Sequence, residues 1–448
     1  MPSEITLKVL TYNVFMRDLG ADFLGLKATI ADIVADIGRT LGVTDANVDI
    51  EFVNNKRAEL IGNLIAAGDY DVVVFQEAFA DGPRKKLREL LARGGFKHSS
   101  SVVGDDSLFG SDGGIFIMSK WPLWDSGQII YRSATGDDKR AQKGVLWALI
   151  DKEGFFFNLF ATHAQAGASV SEASHRSGQF LEFRRWMDHV GLFWLPALLA
   201  GDLNVDYAAA AEREIMLRTL QAAVPENRSR HTPTSDPANE LKSDRDPPTT
   251  LDYVLFANDP QPAPIRPRPK RAALETIRFR APYTVHLGPK RQRPITLNDL
   301  SDHYAVLGTF TFERPREDWR LFRGTWKSMI FNNQPDPRDW RLTFDFLGRN
   351  ILSVINGKTF EGSIHQITPG PEIRGEIVIW NRTLKRHEKF FYGFGSNNSF
   401  RDQFLPPDRV QRPPGLNELM LRNSAGTGTT LFAFESYLPR EQQPDREA

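Results

Sequence analysis

Residues 195–204 read LPALLAGDLN, apolar as far as Ala200 and then broken by Gly-Asp-x-Asn. A short apolar run that stops in a turn of acidic and amide residues suits an inner strand that delivers its last side chains to a sheet edge. The plan recurs along the chain. Residues 5–13 (ITLKVLTYN) alternate and close on Asn13; residues 71–77 (DVVVFQE) close on Glu77; residues 155–163 (FFFNLFATH) close on His163. LDYVLFA at 251–257 carries Asp252 at its head, and SDHYAV at 301–306 opens on Asp302 and His303. Runs this apolar fit strands covered on both faces, as in a two-sheet sandwich.

Helical patterns lie between these strands, which makes the class α/β. Lys56–Ala67 is one, and His175–Val190 is another, with Phe180, Phe183, Trp186 and Met187 at helical spacing. Phe23, Leu26, Ile30, Ile33, Val34, Ile37 and Leu41 trace an amphipathic helix inside residues 18–52, expected to pack on the sandwich. Residues 260–271 are rich in Pro and Arg and predict a loop. After Phe312 the segment ERPRED marks a boundary near residue 316. Beyond it the texture is all β: Trp340, Leu342, Phe344 and Phe346 alternate with polar residues, and Asn-Gly at 356–357 signals a turn. Residues 317–448 are therefore read as a β-sandwich or small β-barrel. No acidic or histidine cluster stands there, so that domain is expected to bind or steer, toward a lipid surface or a partner.

The strand-end residues are ordinary one at a time. His163 could cap a strand, Asp202 and Asn204 could form a turn, and Glu77 could open a helix. Together they suit phosphodiester hydrolysis. That reaction needs a hard cation on the non-bridging phosphate oxygens and a base to activate water. Mg²⁺ takes few carboxylates and keeps much of its shell for water and phosphate, which matches Glu77 helped by Asn13. His303 is the candidate base, oriented by Asp252.

Bulk composition narrows the classes. Formal net charge is zero, which disfavours a protein that lives on nucleic acid, because such binding rests on phosphate neutralisation. With no cysteine, disulfide frameworks, thiolate zinc sites and cysteine nucleophiles are excluded. Met1–Asn13 lacks an apolar leader with a small-residue cleavage site, so the chain as written is expected in the cytoplasm, or exported in trimmed form. No apolar run approaches the roughly 18–20 residues that span a bilayer, so membrane contact is expected to be peripheral. No oligomeric state is assigned.

The order N, QE, TH, GDxN, LDY, SDH resembles the endonuclease/exonuclease/phosphatase superfamily, and within it the bacterial neutral sphingomyelinases (sphingomyelinase C). The matching segments are LTYNVFM, RAELIG, DVVVFQEAF, DGGIFIMSKWP, THAQA, RSGQFLEF, GDLNV, TLDYVLF and SDHYAV, in that order between residues 7 and 312. The resemblance implies a four-layer α/β/β/α sandwich of DNase I type over 1–316. It also implies hydrolysis of sphingomyelin to ceramide and phosphocholine with Mg²⁺, for which Mn²⁺ or Co²⁺ could substitute. Glu77 is implied as the central metal ligand, with Asn13 and Asp302 in its surroundings. Asp202 and Asn204 would position water and bind phosphate, His163 would bind phosphate or assist the leaving group, and His303 with Asp252 would be the base. Asp112 falls where the family can carry an accessory metal, but its neighbour here is Ser111 in place of an acid. Where the family often carries an exposed aromatic hairpin, this chain has Lys290, Arg291 and Arg293, expected as a solvated loop. Three other readings stand beside this one: a phosphoinositide phosphatase, a DNase-type nuclease, and a non-catalytic lipid-binding module on the same fold.

Overall fold

The computed structural model describes residues 4–17, 49–104, 112–139, 141–153, 155–190, 195–228, 232–242, 247–258, 267–287, 293–313, 324–331, 334–344, 350–369, 374–395, 418–423 and 428–436. The amphipathic helix expected around Phe23–Leu41 and the basic residues Lys290 and Arg291 lie outside the described residues. The chain divides into two compact units, Met1–Glu313 and Arg314–Ala448.

The first unit opens with β1 (Glu4–Asn13), α1 (Ile50–Ala66), β2 (Val72–Gln76), α2 (Asp81–Arg93), β3 (His98–Ser99) and β4 (Phe116–Ser119). Then come β5 (Leu123–Ile130), β6 (Gly144–Lys152), β7 (Phe155–His163), α3 (Val170–Val190), β8 (Ala197–Asp202) and α4 (Ala210–Leu220). It closes with β9 (Ala222–Ala223), β10 (Asn227–Arg228), β11 (Asp252–Ala257), β12 (Arg271–Ile277), β13 (Arg280–Leu287), β14 (Arg293–Asp299) and β15 (Ala305–Glu313). One sheet runs β10-β12-β15-β1-β2-β4-β3 and the other β5-β6-β7-β8-β11-β9. Among the described residues, β13 and β14 pair with each other as a separate two-stranded sheet.

Why the strands are so apolar is visible in their two faces. Leu7 and Val9 of β1, Val72 and Val74 of β2, and Leu198 and Ala200 of β8 pack in the core between the sheets. Leu10 and Tyr12, and Val73 and Phe75, point the other way onto Val53, Ile61 and Ile65 of α1 and Leu87 and Leu91 of α2. On the far side, Phe180, Phe183 and Met187 of α3 are buried, and the Phe183 ring lies 5.9 Å from that of Phe160 in β7. Side chains alternate across a strand, so one sequence run supplies two cores. This is the four-layer α/β/β/α sandwich that the motifs imply.

Several boundaries shift from the sequence reading: α3, expected from His175, begins at Val170, and Arg293, expected in a loop, opens β14. The helix expected from Lys56 begins at Ile50, because the Asp49 carboxylate caps it by accepting from the Phe52 amide at 3.0 Å. The stretch read as loop to residue 271 gives way at Arg271, which opens β12 and pairs with Thr311. Among the described residues no helix is long and apolar enough to cross a membrane.

The second unit contains β16 (Gly324–Phe331), β17 (Gln334–Pro335), β18 (Arg341–Phe344), β19 (Asn350–Ile355) and β20 (Lys358–Pro369). It continues with β21 (Arg374–Asn381), β22 (Arg386–Gly395), β23 (Glu418–Asn423) and β24 (Thr429–Ser436). All pairings are antiparallel, and β24 returns to pair with β16. The sheet closes on itself, and closure removes the open edges that a sandwich would leave.

Candidate active site

Strand register does the first part of the assembly. Parallel pairing of β1 and β2 sets Asn13 against Gln76, one residue before Glu77. Parallel pairing of β7 and β8 sets His163 against Asp202, and antiparallel pairing of β8 and β11 sets Asp252 against the same Asp202. His303 bridges to Ser235 just before β15 begins. Gly201 permits the approach at this edge, since a Cβ there would sit 2.0 Å from the Thr162 carbonyl oxygen. Glu77 (φ 55°) and Asn204 (φ 51°) hold left-handed backbone, an uncommon state for non-glycine residues that re-aims each side chain at the strand end.

The side chains then form one continuous network. Asn13 Nδ2 donates to Glu77 Oε1 at 3.1 Å and to Asp202 Oδ2 at 3.2 Å, while its Oδ1 accepts from the Phe15 amide. His163 Nε2 lies 3.6 Å from Asp202 Oδ2 and 3.9 Å from Glu77 Oε1. His303 Nδ1 and Asp252 Oδ2 are hydrogen-bonded at 2.8 Å, and the same nitrogen is 3.9 Å from Asp202 Oδ2. The Asn204 amide donates to Asp202 Oδ1, and Asn204 Nδ2 donates to the Ala164 carbonyl. Asp302 joins less directly, through Ser301, whose Oγ lies 3.4 Å from Asp302 Oδ1 and donates to the Asn13 carbonyl at 2.6 Å. The strand-end residues read from the sequence therefore meet at one edge of the sandwich. Asp112 stands apart: Arg84 Nη1 donates to its Oδ2 at 2.6 Å and the Gly114 amide to its Oδ1 at 2.9 Å.

Three cations here escaped the sequence reading. Arg17 grips Glu77, with Nε 2.6 Å from Oε2 and Nη2 3.0 Å from Oε1. The Lys143 ammonium, buried, lies 3.0 Å from His163 Nε2, 2.8 Å from Asp138 Oδ1 and 3.1 Å from the Ala164 carbonyl. Arg57, fully buried in α1, donates to the carbonyls of Val14, Phe15 and Leu300. It ties the loop that follows Asn13 to the loop before β15 that carries His303. The one available signal was position: Arg17 and Lys143 each stand just beside an apolar strand, where a charge is out of place.

Burial and neighbours set the charges. Burial alone would raise the Glu77 carboxyl, but Arg17 outweighs it and holds the group well below the usual carboxylate range. Burial, then the Lys143 charge, pushes His163 down to about 3, so its ring is neutral. With Lys143 donating to Nε2, the ring proton sits on Nδ1, which is buried without a hydrogen-bond partner. Burial and the nearby Asp252 charge raise Asp202 to about 7. Burial would lower His303, yet Asp252, with Asp302 and Asp202 behind it, raises the imidazole to about 10.

A divalent cation fits this donor set. Asn13 Nδ2 bridges a Glu77 oxygen and an Asp202 oxygen, and the Asp202 ligand atom lies within 4.8 Å of those of Asp252 and His303. With His303 engaged by Asp252, the carboxylate oxygens are the donors for an ion, and Asp252 Oδ1 is buried without a partner. Clustered carboxylate oxygens are hard donors of the kind that hold Mg²⁺-like or Ca²⁺-like ions.

Comparison with known proteins agrees with the geometry. The model of the Endonuclease/Exonuclease/phosphatase family matches residues 10–303. Sphingomyelinase C of Bacillus cereus is 27% identical over 351 residues, covering 70% of this chain and 100% of that protein. The crystal structure of sphingomyelinase C from Streptomyces griseocarneus shares 28% identity with a TM-score of 0.53, covering 68% of this chain and 99% of that one. A beta toxin mutant from Staphylococcus aureus, crystallised with bound magnesium ions, has a TM-score of 0.54 at 23% identity, covering 69% of this chain and 100% of its own; at that identity the likeness is one of fold. The matched segment spans more than half of the chain and holds every strand-end residue from Asn13 to His303, so the chain belongs to the endonuclease/exonuclease/phosphatase family.

Proposed function

We propose that the chain is a Mg²⁺-dependent phosphodiesterase that hydrolyses sphingomyelin to ceramide and phosphocholine. The single observation that carries this reading is the 2.8 Å His303–Asp252 pair set beside the Asp202–Asn13–Glu77 carboxylate network. The relatives that bear the name sphingomyelinase C support the choice of substrate. Glu77 is the proposed seat of the cation, with Asn13 and Asp302 close by; Mn²⁺ or Co²⁺ could take the same place. When bound, the ion supplies positive charge that neutralises the phosphate oxygens and weakens the hold of His303 on its proton.

The remaining steps belong to the chain's own groups. Asp252 fixes His303 through Nδ1, leaving Nε2 to take a proton from the attacking water. Asp202 and Asn204, locked to each other by the turn, orient that water. His163, kept neutral, and the buried Lys143 beside it face the phosphate and the departing oxygen. A peripheral approach to the membrane surface is part of this proposal.

Release of phosphocholine from sphingomyelin vesicles tests the substrate. Phosphocholine release with neither plasmid nicking nor phosphoinositide hydrolysis is expected. Phosphoinositide hydrolysis or nicking without phosphocholine would move the activity to another phosphoesterase of this family.

The Arg17–Glu77 pair gives a second test. Arg17 occupies both Glu77 oxygens, so a cation at Glu77 must share or replace that contact. Arg17→Ala leaves a buried carboxylate without its cationic partner, at a cost of about 3 kcal/mol in chelator. Added Mg²⁺ should raise the melting temperature of the variant more than that of the wild type. Equal Mg²⁺ shifts in the two proteins would remove Glu77 as the seat of the ion.

A further inference from the structure

Inward positions alternate along the strands of the second unit, and Trp326, Phe344, Ile377, Tyr392, Leu419 and Phe432 are buried. The closed sheet also holds a cavity of about 260 Å³, walled chiefly by Leu342, Ile351, Ile355, Phe360, Ile379 and Leu421. Its polar groups gather by the turn between β21 and β22. There Arg386 Nε and Nη2 donate to Glu388 Oε1 at 3.0 and 2.7 Å, and Asn381 Nδ2 donates to Glu388 Oε2 at 3.2 Å. The Arg386 side chain is 64% exposed, and Leu384 in the turn is 44% exposed, which marks this turn as the mouth.

We propose that this barrel is a second binding site, for a single aliphatic chain of medium length that carries an uncharged hydrogen-bonding head. The apolar walls decide the tail. The cavity is open on one side, where Ile355, Phe360 and Leu384 keep apolar surface in contact with water that an aliphatic chain would cover. The volume decides the length: set beside an apolar cavity of about 150 Å³ that holds benzene, it accepts on the order of ten heavy atoms, too few for a two-chain lipid. The rim decides the head. Arg386 pairs with Glu388, and Glu361 adds a second carboxylate to the lining, so the mouth offers donors and acceptors but disfavours an anionic head. An alcohol or amide head is matched there, whereas a carboxylate would meet Glu388.

Calorimetric titration of the full-length protein with straight-chain alcohols tests this. Saturable one-to-one binding of 1-octanol is expected, with affinity rising about fourfold per added methylene from butanol upward, from about 0.8 kcal/mol per buried CH₂. The rise should stop near nine or ten carbons, and octanoate should bind more weakly than octanol. Ile379→Trp and Leu421→Phe, each filling the cavity, should abolish octanol binding while circular dichroism stays that of the wild type. Absence of saturable octanol binding overturns the proposal, as does undiminished binding in both folded variants. If either variant fails to fold, the wild-type series decides alone: affinity still climbing through dodecanol would mean an open surface, and a cutoff supports the cavity.

Discussion

His303→Ala is expected to lower kcat on sphingomyelin vesicles by about 10²–10⁴-fold while vesicle binding stays near that of the wild type. The substitution removes the proposed base and leaves the groups proposed to face the phosphate in place. Asp252→Asn should cost less, because a neutral partner can still hold the ring. It should also move the pH profile. His303 acts as a base only when neutral, so activity rises as pH climbs through its pKa. Burial opposes protonation, but the Asp252 carboxylate overrides it and holds the imidazole at about 10 in the cation-free site. Removing that negative charge lowers the pKa, so the rising limb of kcat should shift to lower pH in Asp252→Asn. A limb that stays in place would show that His303 is not the group being titrated. The same shift has a stability consequence in the cation-free protein. A folded-state pKa above the free imidazole value of about 6.5 contributes stability fully below that pH, and the contribution fades as pH rises through about 10.

Much of the first unit was legible because its strands are covered on both faces. DVVVFQ must be apolar throughout, since Val72 and Val74 face the other sheet while Val73 and Phe75 face α1 and α2. Against such runs a terminal Asn, Glu, His or Asp stands out, and parallel register brings those ends together. The cations were less legible. Arg17 and Lys143 are single charges beside strands, a pattern shared by countless solvated residues, and only the fold shows that Arg17 turns onto Glu77 and that Lys143 is buried against His163. Arg57 is harder still: inside α1 it reads as one polar position of an amphipathic helix, and its partners are backbone carbonyls far away in sequence. In the second unit alternation revealed which residues face inward but not whether the sheet closes. Closure depends on Trp326 meeting Phe434 across more than a hundred residues, which local periodicity does not encode.

Chelation is the other large effect expected. Asp202, Asp252 and Glu77 concentrate negative charge where a phosphodiester, itself anionic, must bind. Without a divalent ion the phosphate oxygens lack the charge that neutralises them and the His303 proton stays in place, so turnover should fall to background. Mg²⁺ should restore it, and Mn²⁺ or Co²⁺ should do so in part. Ca²⁺ should substitute poorly, because its longer bonds and larger shell suit this sparse set of ligands less well. The direct measurement is phosphocholine release from sphingomyelin vesicles by the full-length protein in excess chelator, before and after Mg²⁺ is added back. No release in chelator and recovery with Mg²⁺ is the expected result; full turnover in excess chelator would contradict a metal-dependent phosphodiesterase site.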